Sequence, residues 1–227
     1  NTAMTGYPES LTDPSYAGQL MTLTYPLVGN YGVPPFTIEP NGLATFMESE
    51  KIHAEAIIVS DYSYEYSHWN AVESLGDWLK HGVMMGKIVF ENEELRMKNE
   101  EFPSYSDINY VDQVSCKEII HYFPSGTSSH SAANSSFFIP HSSLKKVVLV
   151  DCGVKTNIIR CLLKRNVEVI RVPWDYDYNG FEFDGLFISN GPGDPDTCDA
   201  AVQNIRKAMS NEKLPIFGIC MGNQLLS

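Results

Sequence analysis

The stretch that decides the fold is PIFGICMGNQLLS, residues 215–227. A short apolar run ends in Gly-Ile-Cys-Met-Gly, and apolar residues resume directly afterwards. This pattern predicts a strand, a sharp turn and a helix, with Cys220 at the corner between two glycines. Such a turn is a nucleophile elbow, in which the flanking positions need little or no side chain. A helix that begins at the turn adds N–H donors and a positive dipole end, which both favour a thiolate.

The pentapeptide has a second interpretation. Unpaired cysteines are among the most often buried residues, so Cys220 is equally compatible with a structural cysteine in a strand-to-helix turn. The five cysteines form an odd set without C-x-x-C spacing. We therefore expect reduced thiols in a cytoplasmic protein, without a disulfide framework or a zinc site.

Upstream of the elbow, short apolar runs alternate with helical patterns. The predicted strands and helices occupy, in order, residues 146–151, 156–165, 167–172, 185–189 and 199–209. This alternation is typical of a doubly wound parallel sheet, and we expect a flavodoxin-like α/β domain over residues 145–227.

A glycine-rich loop follows the third of these strands, in SNGPGDP at residues 189–195. Ligands of such sheets bind beyond the carboxyl ends of the strands, so the loop and Cys220 are expected to share a crevice. The backbone N–H groups of the loop can bind a carboxylate, an oxyanion or a phosphate. Gly-Pro-Gly alone is ordinary turn chemistry, but an elbow cysteine one strand later makes the combination more specific.

The first half, residues 1–122, has a different pattern. It predicts strands at 19–25, 55–60 and 87–90 and a helix at 69–80, which together indicate a small mixed β/α domain. Residues 5–16 are rich in turn formers and predict a surface loop. Serine dominates residues 125–136, so 123–144 are expected to form a flexible linker between the two domains.

Charge and histidine spacing exclude some classes of function. The formal net charge of −12 argues against binding to nucleic acid, and no run approaches the roughly 20 apolar residues of a membrane span. His53, His68 and His81 have no metal-ligand spacing, so no metal site is expected. Those at 121, 130 and 141 lie in or near the linker, where a base is poorly held.

The motifs together resemble a known family. FGICMGNQLL at 217–226 after SNGPGDP is similar to class I glutamine amidotransferases. The blocks NTAMTGYPESLTDPSY at 1–16 and LTYPLVGN at 23–30 resemble the small chain of carbamoyl-phosphate synthase. The resemblance covers nearly the whole chain in matching order.

The resemblance implies residue roles. Cys220 is the expected nucleophile that attacks the side-chain amide of L-glutamine, and the N–H groups of Gly191 and Met221 are the expected oxyanion hole. Gly193, Gln224 and Ser15 match positions that contact glutamine. Residues 151–157, DCGVKTN, match a strand-end motif to which we assign a structural role.

The resemblance also implies a partner. A large synthetase chain receives the ammonia and makes carbamoyl phosphate from bicarbonate and ATP, for arginine and pyrimidine synthesis. We expect no cofactor in this chain; ATP with magnesium belongs to the large chain. A stand-alone cysteine hydrolase of γ-glutamyl substrates and a non-catalytic scaffold are the alternatives, but a hydrolase leaves the N-terminal blocks unexplained.

Two features depart from the family pattern. No histidine follows residue 141, whereas the resemblance places the catalytic His and Glu downstream of Ser227. We therefore expect the glutaminase domain to be truncated here, and residues 1–227 alone not to hydrolyse glutamine efficiently. The Lys80–His81–Gly82 junction is also shorter than the family pattern.

Overall fold

The computed structural model describes residues 6–80, 104–124, 128–131 and 144–227. The chain divides into two compact units, of which the first combines Asn1–Thr37 with Ala44–Tyr105 and the second combines Ile38–Leu43 with Ser106–Ser227. The second unit thus begins earlier than the predicted boundary at residue 122. The strand predicted at residues 87–90 lies outside the described residues. The junction after Lys80 also lies outside them from His81 onward.

The N-terminal unit is built on two parallel strands, β1 (Leu20–Val28) and β2 (Ala56–Tyr62). Apolar side chains from one face of this pair join two short helices, α1 (Tyr7–Leu11) and α2 (Leu75–Lys80). The fully buried members of this core are Leu11, Val33 and Leu75. This arrangement confirms the expected small mixed β/α domain, and the strands predicted at 19–25 and 55–60 are β1 and β2.

Two predictions for the N-terminal unit were wrong in detail. Residues 5–16 were expected to form a surface loop, but α1 lies there and its Tyr7 is buried because it packs into the core. The helix expected at 69–80 begins only at Leu75. Instead, the Val72 N–H donates to the Val33 carbonyl oxygen, and the Val33 N–H donates to the Glu73 carbonyl oxygen. The Ser74 hydroxyl caps the helix by accepting from the Asp77 N–H.

The C-terminal unit contains a six-stranded sheet in the order β4-β3-β6-β5-β7-β8. The strands are β3 (Ile119–Tyr122), β4 (Ser128–Ser131), β5 (Lys145–Asp151), β6 (Val167–Pro173), β7 (Gly185–Ile188) and β8 (Ile216–Gly218). β5 to β8 are parallel and lie in the order 2-1-3-4 when counted from β5. This is the flavodoxin-like order, which confirms the predicted fold class.

Helices cover both faces of this sheet, as a doubly wound fold requires. On one face α5 (Asp199–Met209) contributes Ala201 and Ile205 to a core with Val148 and Ile188. On the other face α4 (Thr156–Leu163) contributes Ile159 and Leu163 to a core with Leu149 and Val169. α3 (Tyr110–Val114) also packs on the first face, and α6 (Met221–Gln224) follows β8.

The sheet is two strands wider than the sequence predicted. β3 was assigned to the first domain, but it pairs antiparallel with β6, and β4 pairs antiparallel with β3. Residues 128–131 therefore form a strand within the segment expected to be a flexible linker; 125–127 and 132–143 lie outside the described residues. The prediction failed because an edge strand is held by backbone hydrogen bonds and needs little apolar content. Within the described part of the chain, no helix has the length and apolarity needed to cross a membrane.

Candidate active site

The turn between β8 and α6 has the predicted elbow geometry. A β-carbon on Gly218 would lie 2.4 Å from the Gly222 carbonyl oxygen, and one on Gly222 would lie 2.3 Å from the Ile188 carbonyl oxygen. Both distances are shorter than real β-carbons tolerate, so each position requires glycine. The Ile219 and Gly222 N–H groups donate to the carbonyl oxygens of Ile188 and Ser189, which fixes the elbow to the end of β7.

Cys220 occupies a strained backbone conformation at the corner, with φ 52° and ψ −113°. A positive φ is uncommon for a residue with a side chain, and this ψ lies outside the left-handed helical region. Such conformations cost about 1–3 kcal/mol and persist where surrounding structure enforces them, often at functional sites. The close contacts of Gly218 with Gly222 and of Gly222 with Ile188 hold Cys220 in this conformation.

The thiols of the chain differ in exposure. Cys220 is exposed, whereas Cys152 and Cys198 are buried. Burial raises the pKa of the Cys152 thiol well above its usual value, and burial also raises the pKa of Cys116. Because the thiolate is the reactive form, the buried thiols are poor nucleophiles. The exposed cysteine is therefore the one at the elbow, and the buried structural alternative does not apply to it.

The glycine loop begins directly after β7, the neighbour of the elbow strand. A β-carbon on Gly191 would lie 2.1 Å from the Cys152 carbonyl oxygen, so this position also requires glycine. Gly193 has φ +86°, where a β-carbon is unfavourable, and it faces Tyr110. The close approach of Cys152 and Gly191 brings together the carboxyl ends of β5 and β7, at the point where the strand order reverses.

The two N–H groups expected to form the oxyanion hole lie at the ends of the neighbouring strands β7 and β8. Among the residues that the structure describes, neither the Gly191 N–H nor the Met221 N–H donates a hydrogen bond. Both residues are buried, and a buried N–H group normally has a partner. Such donors suit a ligand oxygen. Gln224 is exposed on α6, and its N–H donates to the Cys220 carbonyl oxygen at 3.1 Å.

Asp151 holds the turn that follows β5. Its Oδ1 accepts from the N–H groups of Gly153 and Val154 at 2.9 and 2.8 Å, and its Oδ2 contacts Arg171 Nη2 at 2.6 Å. Burial by itself would raise the pKa of Asp151, but the Arg171 charge and these N–H donors outweigh burial and lower that pKa. A buried, ionised and fully bonded carboxylate is a structural element, in agreement with the role assigned to residues 151–157.

Asn190 connects this turn to the glycine loop. Its side-chain Nδ2 donates to the Gly153 carbonyl oxygen at 2.8 Å, and its Oδ1 accepts from the Lys155 N–H at 3.3 Å. The residue before Gly191 is therefore held through both ends of its amide. Sequence reasoning assigned no role to Asn190 or to Ser189, although both belong to the SNGPGDP motif.

Ser15 belongs to the N-terminal unit. It lies in a single 3₁₀ turn, Pro14–Tyr16, that Asp13 caps by accepting from the Ser15 N–H at 3.0 Å. Gln19 Nε2 donates to the Ser15 carbonyl oxygen at 2.9 Å. The structure thus brings Cys220, Gly191 and Met221 together on adjoining strand ends, and the role of Ser15 in glutamine binding stays a prediction.

Of the three histidines that lie in or near the expected linker, the structure describes the side chain of one, His121. His121 lies on β3, and its Nδ1 is 3.4 Å from Glu168 Oε1. The side chain of residue 130 and all of residue 141 lie outside the described residues.

Comparisons with known proteins match both halves of the chain. Residues 1–91 match the family described as carbamoyl-phosphate synthase small chain, CPSase domain, and residues 148–227 match glutamine amidotransferase class-I. The glycine loop and the elbow both lie within the second match.

The relatives that match over the whole of this chain include two kinds of protein. The arginine-specific small chain of carbamoyl phosphate synthase from Eremothecium gossypii is 41% identical over 237 residues, with 100% of this chain and 59% of that protein covered. The multifunctional protein CAD from Squalus acanthias is 43% identical over 251 residues, with 100% of this chain and 10% of that protein covered. This sequence therefore spans somewhat over half of the separate small chain and about a tenth of the multifunctional protein. The chain belongs to the carbamoyl-phosphate synthase small-chain family and carries a class I glutamine amidotransferase domain.

Proposed function

We propose that this chain belongs to a glutamine-hydrolysing carbamoyl-phosphate synthase and supplies the cysteine of its glutaminase reaction. The observation that carries the proposal is the strained, exposed Cys220 between two obligatory glycines, at the end of the strand next to the one that leads to Gly191. The matched families support the same reaction.

In the proposed reaction, the base takes the proton of the Cys220 thiol, and Sγ attacks the side-chain amide carbon of L-glutamine. The C–S bond forms, and the electron pair of the C=O bond moves to the oxygen, giving a tetrahedral oxyanion. Collapse of this intermediate breaks the C–N bond, and ammonia leaves after its nitrogen has taken a proton from the base. Water then hydrolyses the thioester, which releases glutamate and restores the thiol. By the family resemblance, the base is a histidine.

The N–H groups of Gly191 and Met221 stabilise the oxyanion in this mechanism. An amide is a poor electrophile, so the developing negative charge needs donors that are already in place. Removal of one such donor from an acyl-transfer enzyme costs about 3–4 kcal/mol of barrier. Gly193, Gln224 and Ser15 are the proposed contacts of the glutamine substrate, and neither a metal nor another cofactor takes part in this chain.

The ammonia is proposed to pass to a large synthetase chain, where ATP with magnesium and bicarbonate are used. The relatives include a separate small chain and a fused multifunctional protein, so the partner is either a second subunit or a downstream part of the same polypeptide. The products would serve arginine or pyrimidine synthesis, and we propose a cytoplasmic location.

The test is glutamine hydrolysis by the intact protein, with and without its synthetase partner, compared with the Cys220→Ser variant. We expect turnover that the partner stimulates and that the substitution abolishes. A protein without turnover in either state would favour the scaffold. Turnover that ignores the partner and accepts other γ-glutamyl amides would favour a stand-alone hydrolase.

A further inference from the structure

We infer that Ser189 is a positioning residue that orients the Gly191 N–H towards the reacting oxygen. This inference rests on the proposed glutaminase function. It concerns a side chain that touches neither Cys220 nor, in the proposed reaction, the substrate.

The Ser189 hydroxyl is buried and has two partners. Its Oγ accepts from the Cys152 N–H at 2.9 Å and donates to the Asn190 carbonyl oxygen at 2.8 Å. Ser189 itself has no exposed surface. A hydroxyl has a single proton, and an N–H group can only donate. The Cys152 N–H therefore commits the hydroxyl proton to the Asn190 carbonyl oxygen.

That carbonyl belongs to the same peptide group as the Gly191 N–H. In a trans peptide the C=O and N–H bonds lie in one plane and point to opposite sides. A hydrogen bond that fixes the direction of the Asn190 C=O thus fixes the direction of the Gly191 N–H as well. It also polarises the peptide group, which strengthens the N–H as a donor.

The backbone of Ser189 also contacts the elbow that carries Cys220. Its carbonyl oxygen accepts from the Gly222 N–H of the elbow at 3.0 Å. One residue therefore bonds to the elbow through its main chain and to the oxyanion peptide through its side chain. Asn190 is also held through its side-chain amide, and the bond from Ser189 to its carbonyl oxygen fixes the tilt of the peptide plane.

The chain contains a matched control for a substitution at Ser189. Ser115 is also buried, its Oγ accepts from the Trp174 N–H at 3.0 Å, and it donates to the carbonyl oxygen of the next residue, Cys116, at 3.3 Å. Ser115→Ala therefore removes the same two kinds of hydrogen bond at a place that the proposed reaction does not use.

The experiment compares Ser189→Ala with Ser115→Ala in the intact protein, in glutamine hydrolysis and in thermal unfolding. Both variants should lose several degrees of Tm, because each removes two hydrogen bonds, which are buried at Ser189 and part-buried at Ser115. Only Ser189→Ala should lower kcat, by roughly 10- to 100-fold, since loss of a whole oxyanion donor costs about 100- to 1,000-fold. KM should stay within about twofold. The rate of Cys220 alkylation by iodoacetamide should not change, because this reaction forms no oxyanion.

Equal kcat values in the two variants, or an alkylation rate that falls together with kcat, would overturn the inference. A readout without turnover separates it from the proposed function. In the NMR spectrum, Ser189→Ala should shift the Gly191 amide proton, and Ser115→Ala should leave it in place. An unmoved Gly191 signal contradicts the positioning role; a moved signal in a protein that does not hydrolyse glutamine contradicts the proposed function alone.

Discussion

Gly222 packs its α-carbon directly against the main chain of Ile188, so that a β-carbon would lie 2.3 Å from the Ile188 carbonyl oxygen. The same residue donates its N–H to the next carbonyl oxygen of β7, that of Ser189. The elbow is therefore seated on the strand that leads into the glycine loop. The relative position of Cys220 and Gly191 depends on this contact between two backbones.

We expect Gly222→Ala to destabilise the protein by about 2–4 kcal/mol and to abolish glutamine hydrolysis, because the new methyl group displaces the elbow from β7. Alanine normally stabilises a helix by about 1 kcal/mol relative to glycine, so a loss at this helical position reports the steric contact. Urea unfolding and a glutaminase assay measure the two effects. Gly180→Ala is the control, because nothing lies within 4 Å of a β-carbon at Gly180.

The elbow was predictable because its pattern is local. Two glycines around Cys220 after an apolar run determine the turn chemistry by themselves, and α5 was predicted with its observed bounds, Asp199–Met209. The apolar runs of β5 to β7 were equally informative, because strands covered on both faces must be apolar.

The features that sequence reasoning missed depend on partners distant in the chain. β4 consists of serines and a histidine and is defined by its backbone pairing with β3. The role inferred for Ser189 requires the Cys152 N–H, 37 residues away, to approach its hydroxyl. Without that contact, a serine before a glycine loop predicts only an ordinary turn.

The backbone strain at Cys220 predicts a trade-off between stability and activity. Cys220→Gly should stabilise the protein by about 1 kcal/mol, because glycine adopts a positive φ without steric cost, while the nucleophile is lost. Cys220→Ala keeps the β-carbon and the strain, so it should lose activity without that gain. Urea unfolding of both variants tests the argument, and equal stabilities would show that the conformation at residue 220 is not strained.

The buried pair of Asp151 and Arg171 should be far more important for stability than an exposed pair. Asp151→Asn leaves the Arg171 guanidinium without its counter-charge, and it places an amide NH₂ group, which can only donate, near N–H groups that also donate. We therefore expect the free energy of unfolding to fall by about 3–5 kcal/mol at pH 7. Lys207→Ala, which removes an exposed ion pair with Asp177, should change the stability much less, because water and salt screen exposed charges.

The pH dependence of the Asp151 variant gives a second measurement. The folded-state pKa of Asp151 is lowered, so its stabilisation is present above the unfolded value of about 3.9 and is lost as the pH falls through the folded pKa. The difference in unfolding free energy between the original protein and Asp151→Asn should therefore shrink below about pH 4. A difference that stays constant down to pH 2 would mean that the charge of Asp151 is not its stabilising feature.

His53 should make the N-terminal unit sensitive to mild acid. Its Nε2 lies 2.9 Å from Ser49 Oγ, which donates to the Thr12 carbonyl oxygen at 2.6 Å. The Lys51 carbonyl oxygen also lies 3.0 Å from Ser49 Oγ, so we assign the one hydroxyl proton to these carbonyl acceptors and a proton on Nε2 to His53. Burial lowers the pKa of His53 to about 4, with a further lowering by Lys51, so the folded chain keeps the ring neutral.

The stabilisation from the neutral His53 ring is complete above the unfolded pKa of about 6.5 and is lost as the pH falls towards 4, because only the unfolded chain takes up the proton in this range. His53→Gln keeps an N–H donor for Ser49 but has no titrating group. We therefore expect hydrogen exchange of the β1 and β2 amides to accelerate between pH 6.5 and 4 in the original protein, after correction for intrinsic rates, and to change less in the variant. The same acceleration in both proteins would assign the acid sensitivity to other groups.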